Sequence, residues 1–100
     1  MAEKNLDRQR HIVIFTRESC PKCSAAKRFV EGYAGDNWTH LIDSISVSAV
    51  DSDSSALAEM AYINAMSTPT IAIFDGHRQA LAAWRGEIPT HIEFQKYLTR

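Results

Sequence analysis

The run His11-Ile12-Val13-Ile14-Phe15-Thr16 is short, apolar and β-branched, as a strand buried on both faces should be. Downstream, Ala25, Ala26, Phe29, Val30 and Tyr33 recur at three- and four-residue intervals, which predicts a helix over 21–34 with one apolar side. Pro21 suits the first turn, where its missing N–H costs nothing, and Gly35 suits the stop. From 45 to 50 the period changes to two and predicts a strand. Before it, 37–44 fits either a short helix capped by Asp36 or the front half of that strand. A second helix follows over 54–65, capped by Asp53 or Ser54, with Leu57, Met60 and Ala61 inward and Asn64 placed to close it. Thr70-Ile71-Ala72-Ile73-Phe74 is the next strand. Asp75-Gly76 signals a hairpin, and 80–85 is the returning strand. Thr90-His91-Ile92-Glu93 reads as a capping box that opens a last helix to Leu98, with Phe94 and Leu98 inside.

The order is therefore β-α-β-α-β-β-α. It implies an α/β domain with a mixed four-stranded sheet covered by helices on both faces. At 100 residues the chain is one domain, read as 11–100 preceded by a loosely held N-terminal arm over 1–10. With 45% hydrophobic and 23% charged residues, the composition is that of an ordered globular protein. A net charge of −1 argues against nonspecific nucleic-acid binding. No apolar run approaches the ~18 residues of a membrane span. The polar first eleven residues carry both charge signs and no apolar leader core, so a cytoplasmic protein is expected, and a monomer. Serines cluster between Ser44 and Ser55; strand alternation and a helix cap account for them better than a phosphorylated or flexible tract.

The two cysteines, Cys20 and Cys23, stand in Cys20-Pro21-Lys22-Cys23, between the first strand and the first helix. Two cysteines make no disulfide framework, and a close pair in a reducing compartment points to catalysis or metal binding. At a helix start Cys20 faces unpaired N–H groups and the positive end of the macrodipole, with Lys22 and Arg17 adding charge. Such sites lower a thiol pKa from ~8.5 into the range of roughly 3.5–7.5 and create the attacking thiolate. Cys23, one turn on and deeper, suits the resolving role. As a metal site the pair supplies only half of a tetrahedral set, and His11, His40, His77 and His91 are scattered, so no metal is expected. Ser67-Thr68-Pro69-Thr70 lies just before a strand; its residues alone leave the Thr68–Pro69 bond open between cis and trans.

Strand, C-x-x-C, helix, Thr-Pro, hairpin and last helix together resemble the thioredoxin-like superfamily over about residues 11–99. Within it, Phe15-Thr16-Arg17-Glu18-Ser19-Cys20-Pro21-Lys22-Cys23 is similar to the glutaredoxin active-site segment. Trp84-Arg85-Gly86-Glu87-Ile88-Pro89 resembles instead the corresponding segment of NrdH-type redoxins, where glutaredoxins carry Gly-Gly and an acid. The resemblance implies a thioredoxin-like fold and a dithiol–disulfide oxidoreductase. Its redox centre would be the Cys20–Cys23 disulfide, with no bound cofactor. It implies a cis Thr68–Pro69 bond, with Thr68 and Pro69 holding the substrate backbone and Arg17, Pro21 and Lys22 completing the substrate site. Arg17 stands where glutaredoxins place the basic residue that meets a glutathione carboxylate.

The implied donor is thioredoxin reductase, with glutathione as the alternative. The implied substrates are protein disulfides, ribonucleotide reductase among the candidates. A glutathione-dependent glutaredoxin, or a protein holding an iron–sulfur cluster with Cys20 and glutathione, is the alternative function. One departure bears on mechanism: thioredoxins bury an aspartate six residues before the first cysteine, and here Ile14 stands there. Glu18, Asp43 or a water would have to serve. Trp84, in a hairpin strand, reads as core packing.

Overall fold

The computed structural model describes residues 5–35 and 38–99. Its main elements are β1 (His11–Thr16), α1 (Pro21–Glu31), β2 (Ser44–Ala49), α2 (Ser54–Tyr62), β3 (Thr70–Phe74), β4 (Ala80–Arg85) and α3 (His91–Lys96). The order read from the pattern is the observed one. The strands lie in the order β2-β1-β3-β4; β1 runs parallel to β2 and antiparallel to β3, and β4 antiparallel to β3. Two apolar clusters lie on the sheet. Ile12, Ile14, Ile71 and Ile73 pack with Ala26, Val30 and Tyr33 of the α1 region and Phe94 and Leu98 of the α3 region. Phe15, Ala72 and Phe74 pack with Ala56 and Met60 of α2. Strand alternation sends successive side chains to opposite faces, so β1 and β3 feed both clusters and are buried nearly throughout. Trp84 packs on Phe94 and Tyr97, with ring centroids 5.7 and 5.8 Å away, and so belongs to the core. Among the described residues no helix is long and apolar enough to cross a membrane.

Several local expectations need correction. α1 ends at Glu31, capped by Gly32 rather than Gly35, and the chain continues through i→i+3 turns that bury Tyr33. Tyr33 Oη lies 2.6 Å from His91 Nδ1 of α3. Residues 39–41 form a single 3-10 turn before β2, so the helical alternative holds there in its shortest form; Asp36 and Asn37 lie outside the described residues. α2 turns Ala56 and Met60 inward and leaves Leu57 half exposed, because the Asp53 cap sets the helix phase and the sheet admits a small residue there. Asp53 does cap α2, accepting from Ser55 N and Ala56 N, and Asn64 adopts a left-handed φ of 59° two residues past Tyr62. The capping box at Thr90 and Glu93 is present, although α3 stops at Lys96.

The hairpin signal at Asp75-Gly76 opens a longer loop in which Asp75 N donates to Gln79 O and Arg78 takes the left-handed φ. Gly76 matters there for another reason. A Cβ on it would stand 2.8 Å from Leu6 O and from Gln9 Oε1, so glycine admits the N-terminal segment. That segment is not loosely held over residues 5–10. Gly76 N donates to Leu6 O at 2.8 Å. Arg10, only 4% exposed, donates to the carbonyls of Tyr97, Asp7 and Gln9. A buried guanidinium needs this many acceptors, and the fold wraps the segment around it to supply them.

Candidate active site

The parallel pair β1–β2 runs toward one end of the sheet, and β1 delivers the chain there at Thr16. Residues 17–19 are exposed and turn the chain, and Cys20 is the N-cap of α1 with extended φ and ψ. Pro21 occupies the first helical turn, as its missing N–H favours. No acidic residue lies in that turn and Lys22 does, so the first-turn side chains reinforce the positive helix end. Cys20 and Cys23 are joined by a disulfide with Cα atoms 5.3 Å apart. One helical turn separates them, and it puts them at different depths. Cys20 is half-buried, whereas Cys23 is 4% exposed.

An open groove of about 590 Å³ runs beside Cys20. Of the residues singled out from sequence, Arg17, Pro21, Lys22 and Thr68 line it with Cys20. Pro69 is buried behind Thr68, and the Thr68–Pro69 bond is cis, as the resemblance implied. Glu18 also lines the groove. Asp43 does not: its carboxylate accepts from Arg10 N at 2.8 Å, at the opposite end of β1. It is thereby removed as a proton acceptor for Cys23. A six-residue strand at ~3.3 Å per residue separates the two ends.

Ser19, Ser67, Arg85 and Gly86 line the groove too, and sequence reasoning assigned none of them to it. Gly86 has a φ of +74° and its N–H donates to Pro69 O at 2.7 Å. A Cβ there would meet Ser67 Oγ at 2.7 Å, so glycine lets β4's end close on the proline loop. Arg85 donates twice to Ile63 O, from Nε at 3.1 Å and Nη2 at 2.7 Å, and so caps the end of α2. The signal for Arg85 and Gly86 was their place in the Trp84–Pro89 stretch after the hairpin strand, and for Ser67 its place beside Thr68 before the third strand. Among the described residues no group of three His, Cys, Asp or Glu is placed to hold a metal ion.

A vicinal thiol pair at a helix start, one sulfur reachable and one beneath it, beside a cis-proline loop on a four-stranded sheet, defines a thioredoxin-fold thiol–disulfide oxidoreductase. The chain belongs to the glutaredoxin family, whose profile matches residues 12–78. That match stops before β4 and α3, where the sequence departs from the glutaredoxin pattern. Solved structures share the fold. The oxidised thioredoxin of Plasmodium falciparum superposes with a TM-score of 0.68 at 22% identity, over 94% of this chain and 86% of its own. Malassezia sympodialis thioredoxin gives 0.67 at 15% identity, over 92% of this chain and 75% of its own. Trxlp of Edwardsiella tarda gives 0.65 at 15% identity, over 95% and 86%. No curated protein sequence matches the chain.

Proposed function

We propose that the chain is a dithiol carrier that reduces disulfides of protein substrates and is recharged by a dithiol reductase of the thioredoxin reductase type. The observation that carries the reading is the difference in depth between the two sulfurs, Cys20 at the groove and Cys23 beneath it. In the reduced protein the Cys20 thiolate attacks one sulfur of a substrate disulfide, displaces the other as a thiolate and forms a mixed disulfide. Cys23, having lost its proton, attacks Cys20 Sγ. The second substrate sulfur leaves, and the Cys20–Cys23 disulfide forms. Two electrons pass to the substrate, and its two thiolates take up protons. Arg17 and Lys22, which form no ion pair among the described residues, favour the anionic sulfur. Thr68 flanks the groove where a substrate backbone would lie.

The choice of donor rests on Gly86 and Arg85. Glycines after the hairpin serve a ligand by letting backbone approach it. Here the Gly86 N–H is spent on Pro69 O and the Arg85 guanidinium on Ile63 O. Arg17 and Lys22 are left to meet a glutathione carboxylate, without the Gly86 N–H beside them. A cytoplasmic location belongs to the same proposal, since a donor dithiol has to be kept reduced. Coupled assays with a common disulfide substrate compare NADPH and thioredoxin reductase against glutathione and glutathione reductase. Faster turnover with the first is expected. Efficient turnover with glutathione alone overturns the donor assignment and makes the chain a glutathione-dependent glutaredoxin.

A further inference from the structure

We propose that Asp51 is a positioning residue for Cys20: across the β2–α2 turn, its carboxylate holds the loop that aims the Cys20 sulfur at the start of α1. The inference rests on the dithiol reading above. Three exposed residues, 17–19, must turn the chain from β1 into α1. Ser19 makes the turn with a φ of 56°, a left-handed conformation that a residue with a Cβ adopts against a steric cost. Local preference therefore does not hold this loop. Two contacts from the far side of the turn do. Val50 N donates to Thr16 O at 2.9 Å, which extends the β1–β2 pairing to the mouth of the loop. Glu18 N then donates to Asp51 Oδ2 at 2.9 Å, between residues 33 apart in sequence. Among the described residues this is the side-chain hydrogen bond that fixes the backbone of 17–19.

Asp51 has no competing duty in α2, whose cap is Asp53, two residues on. The tether acts one residue before the left-handed Ser19 and two before the N-cap cysteine, so releasing it frees the dihedrals that set Cys20 at the start of α1. A carboxylate near a thiolate also opposes its formation. The charged groups lining the groove with Cys20 are Arg17, Glu18, Lys22 and Arg85, and Asp51 reaches it through the Glu18 N–H. Tether and charge are separable. Asp51→Asn keeps an oxygen that accepts the Glu18 N–H and drops the charge; Asp51→Ala drops both.

The test uses the full chain carrying Cys23→Ser, so that one thiol reacts, and measures the rate of Cys20 alkylation by iodoacetamide as a function of pH. Asp51→Asn is expected to react at least as fast as the parent at neutral pH. Asp51→Ala is expected to react about 5-fold more slowly than Asp51→Asn, the factor for one ordinary hydrogen bond, with its thiolate midpoint at higher pH. The urea midpoint of Asp51→Ala should fall below that of Asp51→Asn by no more than the loss of this one hydrogen bond requires, so both variants are folded in the assay. Equal rates and midpoints for Asp51→Ala and Asp51→Asn, beside a parent whose Cys20 is faster than a free thiol, overturn the positioning role alone. A parent Cys20 no more reactive than a free thiol overturns the dithiol reading and this inference with it.

Discussion

Gly86→Ala adds a methyl group to a residue whose φ is +74° and whose new Cβ would stand 2.7 Å from Ser67 Oγ. A left-handed conformation costs a residue with a Cβ about 1–2 kcal/mol. Alanine also restricts the unfolded chain relative to glycine, which offsets about 0.4–1 kcal/mol of that cost. The hydroxyl of Ser67 ends a rotatable side chain, so it turns aside instead of adding a clash of similar size. The net expectation is a loss of about 1 kcal/mol, or a Tm lower by ~4–8 °C in a domain of this size. Gly86 N also holds Pro69 O, so disulfide reduction should slow in the same variant. Urea unfolding of the oxidised protein, followed by tryptophan fluorescence, measures the loss. Ser67→Ala and the double variant complete the cycle, and Ser67→Ala is expected to restore little. An unchanged urea midpoint in Gly86→Ala would refute the requirement for a left-handed residue. Full restoration by Ser67→Ala would assign the cost to the contact and refute the backbone argument.

Arg10→Met removes a buried guanidinium that satisfies three backbone carbonyls, and should cost about 2–4 kcal/mol in urea unfolding while leaving Cys20 reactivity unchanged. A cost below about 0.5 kcal/mol would show the N-terminal segment to be a dispensable arm. Asp75 gives a pH test. Burial raises its carboxyl pKa, but the N–H groups of Gln79 and His77 and the charges of His77 and Arg10 outweigh this and leave it below the usual carboxylate value of 3.8. A depressed folded-state pKa contributes stability above the unfolded value, and that stability is lost as pH falls through the folded one. Asp75→Asn should therefore flatten the loss of stability below pH 3.8, and an acid limb as steep as that of the parent would contradict it.

The order of elements was legible because the patterns are well developed: β3 and β4 run over the residues that the apolar run 70–74 and the hairpin signal after it assigned. Errors gathered where tertiary contacts overrule local preference. Leucine outranks alanine in hydrophobicity, yet α2 buries Ala56 and exposes Leu57, because the cap at Asp53 sets the phase and a small side chain fits the sheet. Gly76 read as turn chemistry, whereas its work is to admit Leu6 and Gln9. A polar N-terminal decade gives no sign that Arg10 lies inside, since its acceptors come from residues as distant as Tyr97. The site divides in the same way. Cys20, Pro21, Lys22 and Cys23 are one local stretch, so helix-end physics could be applied to them directly. Ser67, Arg85, Gly86 and Asp51 reach it only through strand order and the turn between β2 and α2.

The central claim is the division of labour between a reachable Cys20 and a buried Cys23, and single-cysteine trapping tests it most directly. Each of Cys23→Ser and Cys20→Ser is incubated, reduced, with an oxidised protein substrate and analysed by intact mass spectrometry. Cys23→Ser should accumulate a mixed disulfide through Cys20 that nothing in the protein can resolve, while Cys20→Ser should trap none. Equal trapping by both variants, or trapping by Cys20→Ser alone, would contradict the assignment.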